Sequence, residues 1–330
     1  MTILVTGATG YIGRNLVRNL CAGPEPVRTL VRPGSDAAAM EAMGAEVSIG
    51  DLVDPASVDR AIRGCRQVFH LGAVIHGANA TPSNLRRVNV EGSEQVGRSS
   101  LKAGVERLIY ASSVSVYGRR LSNQAITERT PPRPDSPYSA SKLKAERRLL
   151  ALSASDGLPL VIARLSTVFG SGARDWAGLF RAIASGRFRM LGTGSGHYHP
   201  ADVLDVVDGL LHCASITGIE GNTYLLAGQA SLPFRQLVAL IAESVGAPPP
   251  GPCTSGVLLR LYKHADWLSY RCSGHRLPKA DRIDLFLNDR GYDIGKARAQ
   301  LGFEPRRSAR QMLQATAAWL RAEGLLDAES

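Results

Sequence analysis

TILVTGATGYIG, residues 2–13, decides how the rest of the chain is read. An apolar run of strand character ends at Thr6, glycines stand at 7, 10 and 13, and an amphipathic stretch opens at Tyr11. Glycines so placed permit a tight turn, close backbone approach to a pyrophosphate, and tight helix–strand contact. The helix start adds N–H donors and the positive end of its dipole. A glycine triplet alone is weak, but this one sits in the strand–turn–helix context that phosphate binding needs. Gly7, Thr9, Gly10, Tyr11, Ile12 and Gly13 are therefore the expected cradle of a dinucleotide.

Working outward, TILVT, VRTLV, EVSIG, QVFHL, RLIYAS and LVIARL are six strand candidates. Amphipathic stretches at Tyr11–Cys21, Asp36–Met43, Pro55–Ile62, Leu85–Leu101 and Pro137–Ala151 separate them. Continuous apolar strands alternating with helices predict an α/β protein with a Rossmann-type doubly wound parallel sheet over 1–168. After Phe169 the pattern loosens. Helices are expected at Asp202–Ser215, Leu232–Val245 and Ser308–Glu323, with a short strand, TYLLA, between the first two. APPPGPC (247–253) is a break that no helix or central strand crosses. Residues 169–330 thus read as a smaller C-terminal substrate-binding lobe whose final helices pack back on the core.

The 330 residues suffice for a sizeable core. No apolar run approaches the length of about 20 that a membrane span needs, so no stable membrane insertion is expected. MTILVTGATG enters a strand directly, without a basic n-region or cleavage site, and cytoplasmic residence is the expectation. The five cysteines lack ligand spacing and read as reduced thiols, with no metal. The formal charge of +10 is spread along the chain without an aromatic-interleaved basic stripe, which argues against nucleic acid.

Cofactor contacts can be placed at each strand end. The second strand closes LVRPGSD, with Arg32 where a carboxylate would hold the ribose 2′-hydroxyl of NAD. A guanidinium favours the 2′-phosphate of NADP. NADP is preferred over NAD, the alternative being that Ser35 or Asp36 serves the ribose. After the third strand, Asp51 reads as an adenine contact with Leu52 against the ring, or else as the cap of the next helix. Leu71, Gly72 and Ala73 end the fourth strand, where the cofactor passes close to the backbone; His70 reads as a satisfied core histidine.

The fifth strand runs IYASSVSVYG, and SPYSASKLKAERRLL follows from Ser136. Tyr138 and Lys142 stand four apart, so a helix puts them on one face. TGATGYIG, GDL, HLGA, SSVSVYG and YSASK in this order resemble the extended short-chain dehydrogenases/reductases. That family includes nucleotide-sugar epimerases and dehydratases, 3β-hydroxysteroid dehydrogenases and dihydroflavonol reductases. The resemblance implies that Tyr138 is the general acid/base and Ser113 the hydroxyl that bonds the same substrate oxygen. Lys142, with the cationic nicotinamide, would lower the phenol from its ordinary pKa of about 10, and would also hold the ribose hydroxyls. Asn89, in VNVEGS, matches the family's helix asparagine that orders the hydrogen bonds on the lysine side; otherwise it is a surface polar residue.

Three departures narrow the chemistry. Val114 and Ser115 stand where 4,6-dehydratases carry an Asp-Glu pair. In ARLSTVFGSG, Arg164 and Gly170 match the sugar-nucleotide members but Thr167 replaces an asparagine. Tyr198, in GTGSGHYHPADV, stands where those members clamp a diphosphate with arginine; Arg187, Arg189 or Arg276 could substitute. Ser113, Val114, Thr167, His197 and Tyr198 are the expected substrate contacts. SGVLLRLYKHADWLSYRCSGHRL reads first as an amphipathic lobe helix, the alternative being a mobile pocket wall with Trp267, Tyr270 or His275 touching ligand. The expected activity is NAD(P)-dependent interconversion of a ketone and a secondary alcohol on a small molecule. The alternative is a nucleotide-sugar epimerase, and a third reading is an inactive dinucleotide sensor. A homodimer through the helices after strands four and five is expected from the resemblance.

Overall fold

The computed structural model describes residues 2–75, 77, 79–118, 125–191, 193–254, 256–273, 277 and 291–326. Six strands alternate with helices: β1 (Thr2–Thr6), β2 (Val27–Val31), β3 (Glu46–Ile49), β4 (Cys65–His70), β5 (Arg107–Ser113) and β6 (Leu160–Leu165). Between them run α1 (Tyr11–Cys21), α2 (Ala37–Glu41), α3 (Pro55–Ile62), α4 (Pro82–Asn84), a π-helical segment (Leu85–Gly92), α5 (Ser93–Lys102) and α6 (Pro137–Asp156). Local chemistry sets several ends. Asp54 caps α3 with Pro55 in its first turn, and Ser136 and Ser139 form a reciprocal capping box on α6. Gly157 ends α6 in the left-handed conformation.

All strands of the main sheet are parallel, and a seventh, β11 (Thr223–Leu226), joins it beside β6. The order is β3-β2-β1-β4-β5-β6-β11. The chain reverses direction across the sheet between β1 and β4, where ligands of such sheets bind beyond the carboxyl strand ends. The sequence assigned TYLLA to the looser second half. The structure returns it to the main sheet because Tyr224, Leu225 and Leu226 are fully buried there, with α8 (Val203–Ser215) packed against the same layer. Apolar clusters fill both faces of the sheet, one around Val5, Leu16 and Phe69, the other around Leu4, Val68 and Tyr110.

The lobe is made of short pairs: β7 (Thr167–Phe169) with β10 (Pro200–Asp202), β8 (Met190–Leu191) with β13 (Pro252–Thr254), and β9 (His197–Tyr198) with β12 (Leu232–Pro233). They lie with α7 (Ala177–Ala184), α9 (Phe234–Val245), α10 (Gly256–Ser273) and two closing helices, Gly295–Leu301 and Ala309–Ala322. A third core around Phe180, Phe234, Leu237 and Leu313 joins lobe and last helix. Among the described residues no helix is long and apolar enough to cross a membrane. No group of three potential metal ligands occurs among them either.

Candidate active site

The turn after β1 is pressed onto the end of β4. Gly7 has φ +71°, and a Cβ there would lie 2.6 Å from Gly72 N and 2.7 Å from Leu71 C, both backbone. A Cβ on Gly13 would fall 2.2 Å from the Gly7 carbonyl oxygen. Gly10, exposed, is the N-cap of α1, with no side-chain cap there, so the first-turn N–H groups point outward as donors. That opening fits a pyrophosphate. Leu52 is buried against Gly72 and Gly92, beside the switch point. Asp51 does not cap α3, a role Asp54 takes; its carboxylate instead accepts from Val53 N–H. Tyr11 turns toward the lobe, its ring against Gly172 and its buried hydroxyl near Gly170. Ile12 packs at the margin of the core. Thr9 contributes its carbonyl to Arg14 Nε at 3.1 Å.

Past β2, Arg32 is exposed, and its carbonyl closes a turn on Ser35 N–H. Asp36 is already engaged: it caps α2 through Ala39 N–H and pairs with Arg14 at 2.7 Å. Arg14, which the sequence reading did not single out, holds Asp36 and the Thr9 carbonyl beside the glycine turn. Its signal is a cation directly after the third glycine.

At the end of β4, Leu71 N–H donates to Thr6 O, and Gly72 and Ala73 follow. His70 is fully buried and both ring nitrogens are engaged, Nδ1 with Thr6 Oγ1 at 2.7 Å and Nε2 with Ser93 Oγ at 2.8 Å. Ser93 donates to the Asn89 carbonyl, so Nε2 carries the proton and Nδ1 accepts from Thr6. Burial, with Lys142 nearby, pushes His70 down to about 3, so it stays neutral. The core-histidine reading agrees with this placement.

The π-helical segment turns Asn89 inward, and π-bulges often mark functional sites. Asn89 is fully buried, not on the surface. It accepts from Val74 N–H and donates to Val74 O and Ser141 Oγ, each at 2.8–2.9 Å. Ser141 in turn donates to Tyr138 O. Asn89 thus joins the end of β4 to the helix bearing Tyr138 and Lys142.

Ser113 ends β5 and caps the following 3₁₀ turn, accepting from Ser115 N–H at 3.1 Å. Its side chain lies near the Tyr138 phenol and favours the ionised form. Lys142, 2% exposed, donates to the Ala111 carbonyl at 2.7 Å and lies 4.1 Å from the Tyr110 ring centre. Burial pushes Lys142 down to about 7, opposed by Glu146, and pushes Tyr138 up to about 12, opposed by Ser113. The sequence reading expected Lys142, together with the cationic nicotinamide, to lower the phenol. In the polypeptide itself, desolvation outweighs any such effect and the phenol moves the other way.

Of the remaining expected contacts, Val114 is buried beside Ser113, and Thr167 and His197 are half-buried on β7 and β9. Tyr198 is 2% exposed, its ring 5.2 Å from Phe234 in the lobe core. Arg189 donates to the carbonyls of Gly186 and Phe188 in its own turn, and Arg187 is exposed. Trp267 is exposed on α10 with Arg271 over its ring. His275 and Arg276 lie outside the described residues, as does the Tyr270 side chain. A lobe cavity of about 660 Å³ is lined by Met190, Thr193, Pro233, Arg235, Gln236, Ala239 and Pro250, without Ser113, Tyr138 or Lys142.

This geometry has known counterparts. Residues 3–227 match the model of the NAD-dependent epimerase/dehydratase family. Sterol demethylase protein B of Methylococcus capsulatus is 30% identical over 99% of this chain and all of its own. A 4-hydroxy-2-methyl-3-oxo-4-farnesyl-3,4-dihydroquinoline-1-oxide ketoreductase of Stigmatella aurantiaca is 32% identical over 74% of each chain. Among solved structures, gox2253 superposes with a TM-score of 0.86 at 29% identity, covering 99% of both chains. MoeE5 in complex with UDP-glucuronic acid and NAD superposes with a TM-score of 0.75 at 26% identity, covering 98% of this chain and all of that one. The protein is accordingly an enzyme of the NAD-dependent epimerase/dehydratase family, within the extended short-chain dehydrogenases/reductases.

Proposed function

We propose that the protein interconverts a ketone and a secondary alcohol on a small molecule, with NADP preferred to NAD. The observation that carries this reading is the nearness of Ser113, at the carboxyl end of β5, to the Tyr138 phenol, with Lys142 buried one turn further along α6 and donating to the Ala111 carbonyl. A bound nicotinamide supplies the hydride acceptor or donor. Tyr138 exchanges the proton at its phenolic oxygen, and Ser113 orients the substrate oxygen toward it. Lys142 stabilises the phenolate and holds ribose hydroxyls. Gly7, Gly10 and Gly13 shape the pyrophosphate seat, with Leu52, Leu71, Gly72 and Ala73 along the cofactor's path. Val114, Thr167 and His197 remain the candidate substrate contacts.

Two further points support the finer claims. Arg32 is exposed beyond β2 while Asp36, the alternative ribose partner, is taken by Arg14 and a helix cap; this favours NADP. Tyr198 stands at the family's diphosphate-clamp position with its ring in the lobe core, which favours a substrate without a diphosphate handle. The ketoreductase relative points the same way. A homodimer belongs to the same proposal and is read by light scattering.

The test is a panel of ketones, secondary alcohols and UDP-sugars, assayed with NADPH and NADH, on the wild type and Tyr138→Phe. The expected result is NADPH-dependent ketone reduction that Tyr138→Phe abolishes, with the NADPH preference reversed in Arg32→Asp. Turnover of UDP-sugars without net redox would establish the epimerase instead. Full activity in Tyr138→Phe would refute the role of the phenol.

A further inference from the structure

Behind the Ser113–Tyr138–Lys142 group lies a second charged constellation. Glu146, 1% exposed, stands on α6 one turn beyond Lys142, so Tyr138, Lys142 and Glu146 succeed one another at four-residue intervals. Arg164, near the end of β6 and 6% exposed, holds this carboxylate bidentately, with Nε at 3.0 Å from Oε1 and Nη2 at 2.6 Å from Oε2. Ser112, adjacent to Ser113, donates to Glu146 Oε1 at 2.5 Å. The third arm of the guanidinium, Nη1, donates to Tyr117 OH at 2.7 Å, and Arg164 also lies over the Tyr117 ring. One buried ion pair therefore grips α6, β5, the 3₁₀ turn after β5, and β6.

Taking two charges out of water is costly, and apolar residues of similar volume often serve stability as well. A fully satisfied pair at this place is thus weak evidence for stability and better evidence for a positional task. The register is informative, because Ser112 pairs with Arg164 and Ser113 with Leu165 across β5 and β6. Fixing Glu146 against Ser112 fixes the strand end that carries Ser113 against the helix that carries Tyr138.

We propose that Glu146 and Arg164 are positioning residues for Lys142: the pair locks the end of β5 to α6, and its carboxylate supplies a counter-charge to the Lys142 ammonium in a water-excluded site. The proposal rests on the reading of Ser113, Tyr138 and Lys142 as catalytic. Among the described residues, these charged and titratable groups face Lys142. Tyr138 and Glu146 share its helix, Tyr110 and the Ala111 carbonyl face it from β5, His70 from β4, and Arg164 with Tyr117 lie beyond Glu146. His70 stays neutral and Tyr110 is held un-ionised by burial, so among these groups Glu146 is the anion that acts on the ammonium, and Arg164 is the cation bound to the far side of that anion, expected to oppose it.

The two halves of the pair then act on Lys142 with opposite sign. The experiment follows the Lys142 titration by NMR of protein labelled with ¹³Cε-lysine, the signal assigned by Lys142→Met. Glu146→Gln removes the anion and leaves Arg164, so the midpoint is expected to fall by about one pH unit or more; Arg164→Met does the reverse, with a rise of similar size. The double variant Glu146→Gln/Arg164→Met leaves no unpaired charge and returns the midpoint toward that of the wild type. A merely structural pair would move both single variants alike, or neither, and that result overturns the proposal. Should one single variant not fold, the remaining one against the double variant carries the same sign test. Binding of NADPH, read by its fluorescence, is expected to weaken at least threefold in Glu146→Gln at a pH between the two midpoints, where Lys142 keeps more of its proton in the wild type than in the variant. Because the midpoint is measured without substrate, failure here is separable from failure of the catalytic reading, which Tyr138→Phe turnover reports.

Discussion

Gly7 and Gly157 share one backbone conformation, φ +71° and +74°, but differ in what surrounds them. At Gly157, the C-cap of α6, an added Cβ meets nothing within 4 Å. Alanine there bears only the cost of an L-residue in the left-handed region, about 1–2 kcal/mol. At Gly7 the same methyl would sit 2.6 Å from Gly72 N and 2.7 Å from Leu71 C. These backbone atoms are tethered just past β4, Leu71 N–H to Thr6 O and Gly72 N–H to Thr6 Oγ1, so overpacking adds about 1–3 kcal/mol. With an unfolding entropy of about 2.1 cal/mol/K per residue, the 330-residue chain has an entropy of about 0.7 kcal/mol/K. Gly157→Ala should therefore lower Tm by about 1.5–3 °C, and Gly7→Ala by about 3–7 °C. Calorimetry on both variants reads the difference, and NADPH titration reads its consequence. Gly7→Ala, which forces the turn off β4, is expected to bind at least tenfold more weakly, whereas Gly157→Ala binds as the wild type does. Equal melting points and equal affinities in the two variants would refute the claim that the β1 turn is pressed onto β4 at the cofactor seat.

Burial of the neutral His70 predicts acid sensitivity with a definite sign. Its folded pKa of about 3 lies below the unfolded value of about 6.5, so its contribution is complete above that value and is lost as pH falls from there toward 3. Urea midpoints measured between pH 7 and 4 should fall in the wild type and fall less steeply in His70→Asn; parallel slopes would contradict the assignment. Lys142, at about 7 when folded against about 10.4 unfolded, costs stability throughout the neutral range, at about 1.4 kcal/mol for each tenfold loss of proton affinity. Lys142→Met should accordingly unfold at higher urea at pH 7 despite losing the Ala111 hydrogen bond, while turnover disappears; a less stable variant would contradict the burial cost. Asp36→Ala removes the α2 cap, at a cost of about 1 kcal/mol, and frees Arg14. The ratio of NADPH to NADH affinity should then rise, and an unchanged ratio would remove Arg14 from the cofactor site.

The sequence by itself determined much of this protein, because its signals there are local. Helix α1 and helix α3 begin and end at the expected residues, since amphipathic period, a proline in the first turn and flanking breakers act within a few positions. The glycine turn was legible for the same reason, as was the Tyr138–Lys142 spacing on one helix face. What lay beyond sequence reach depended on groups far apart in the chain. TYLLA became the edge of the main sheet because only the assembled β6 offers it a partner. Asn89 was named through the resemblance, but the π-helical segment that carries it and its partners Val74 and Ser141 were not, because no spacing rule foretells them. Arg164 was visible as a motif residue, but its partner was not: eighteen positions separate it from Glu146, and the pair exists only where α6 crosses the ends of β5 and β6. The direction in which the Tyr138 pKa moves was also a tertiary matter. Residue spacing announces which charges can meet, whereas the balance between their attraction and the loss of water is set by how deeply the folded chain buries them.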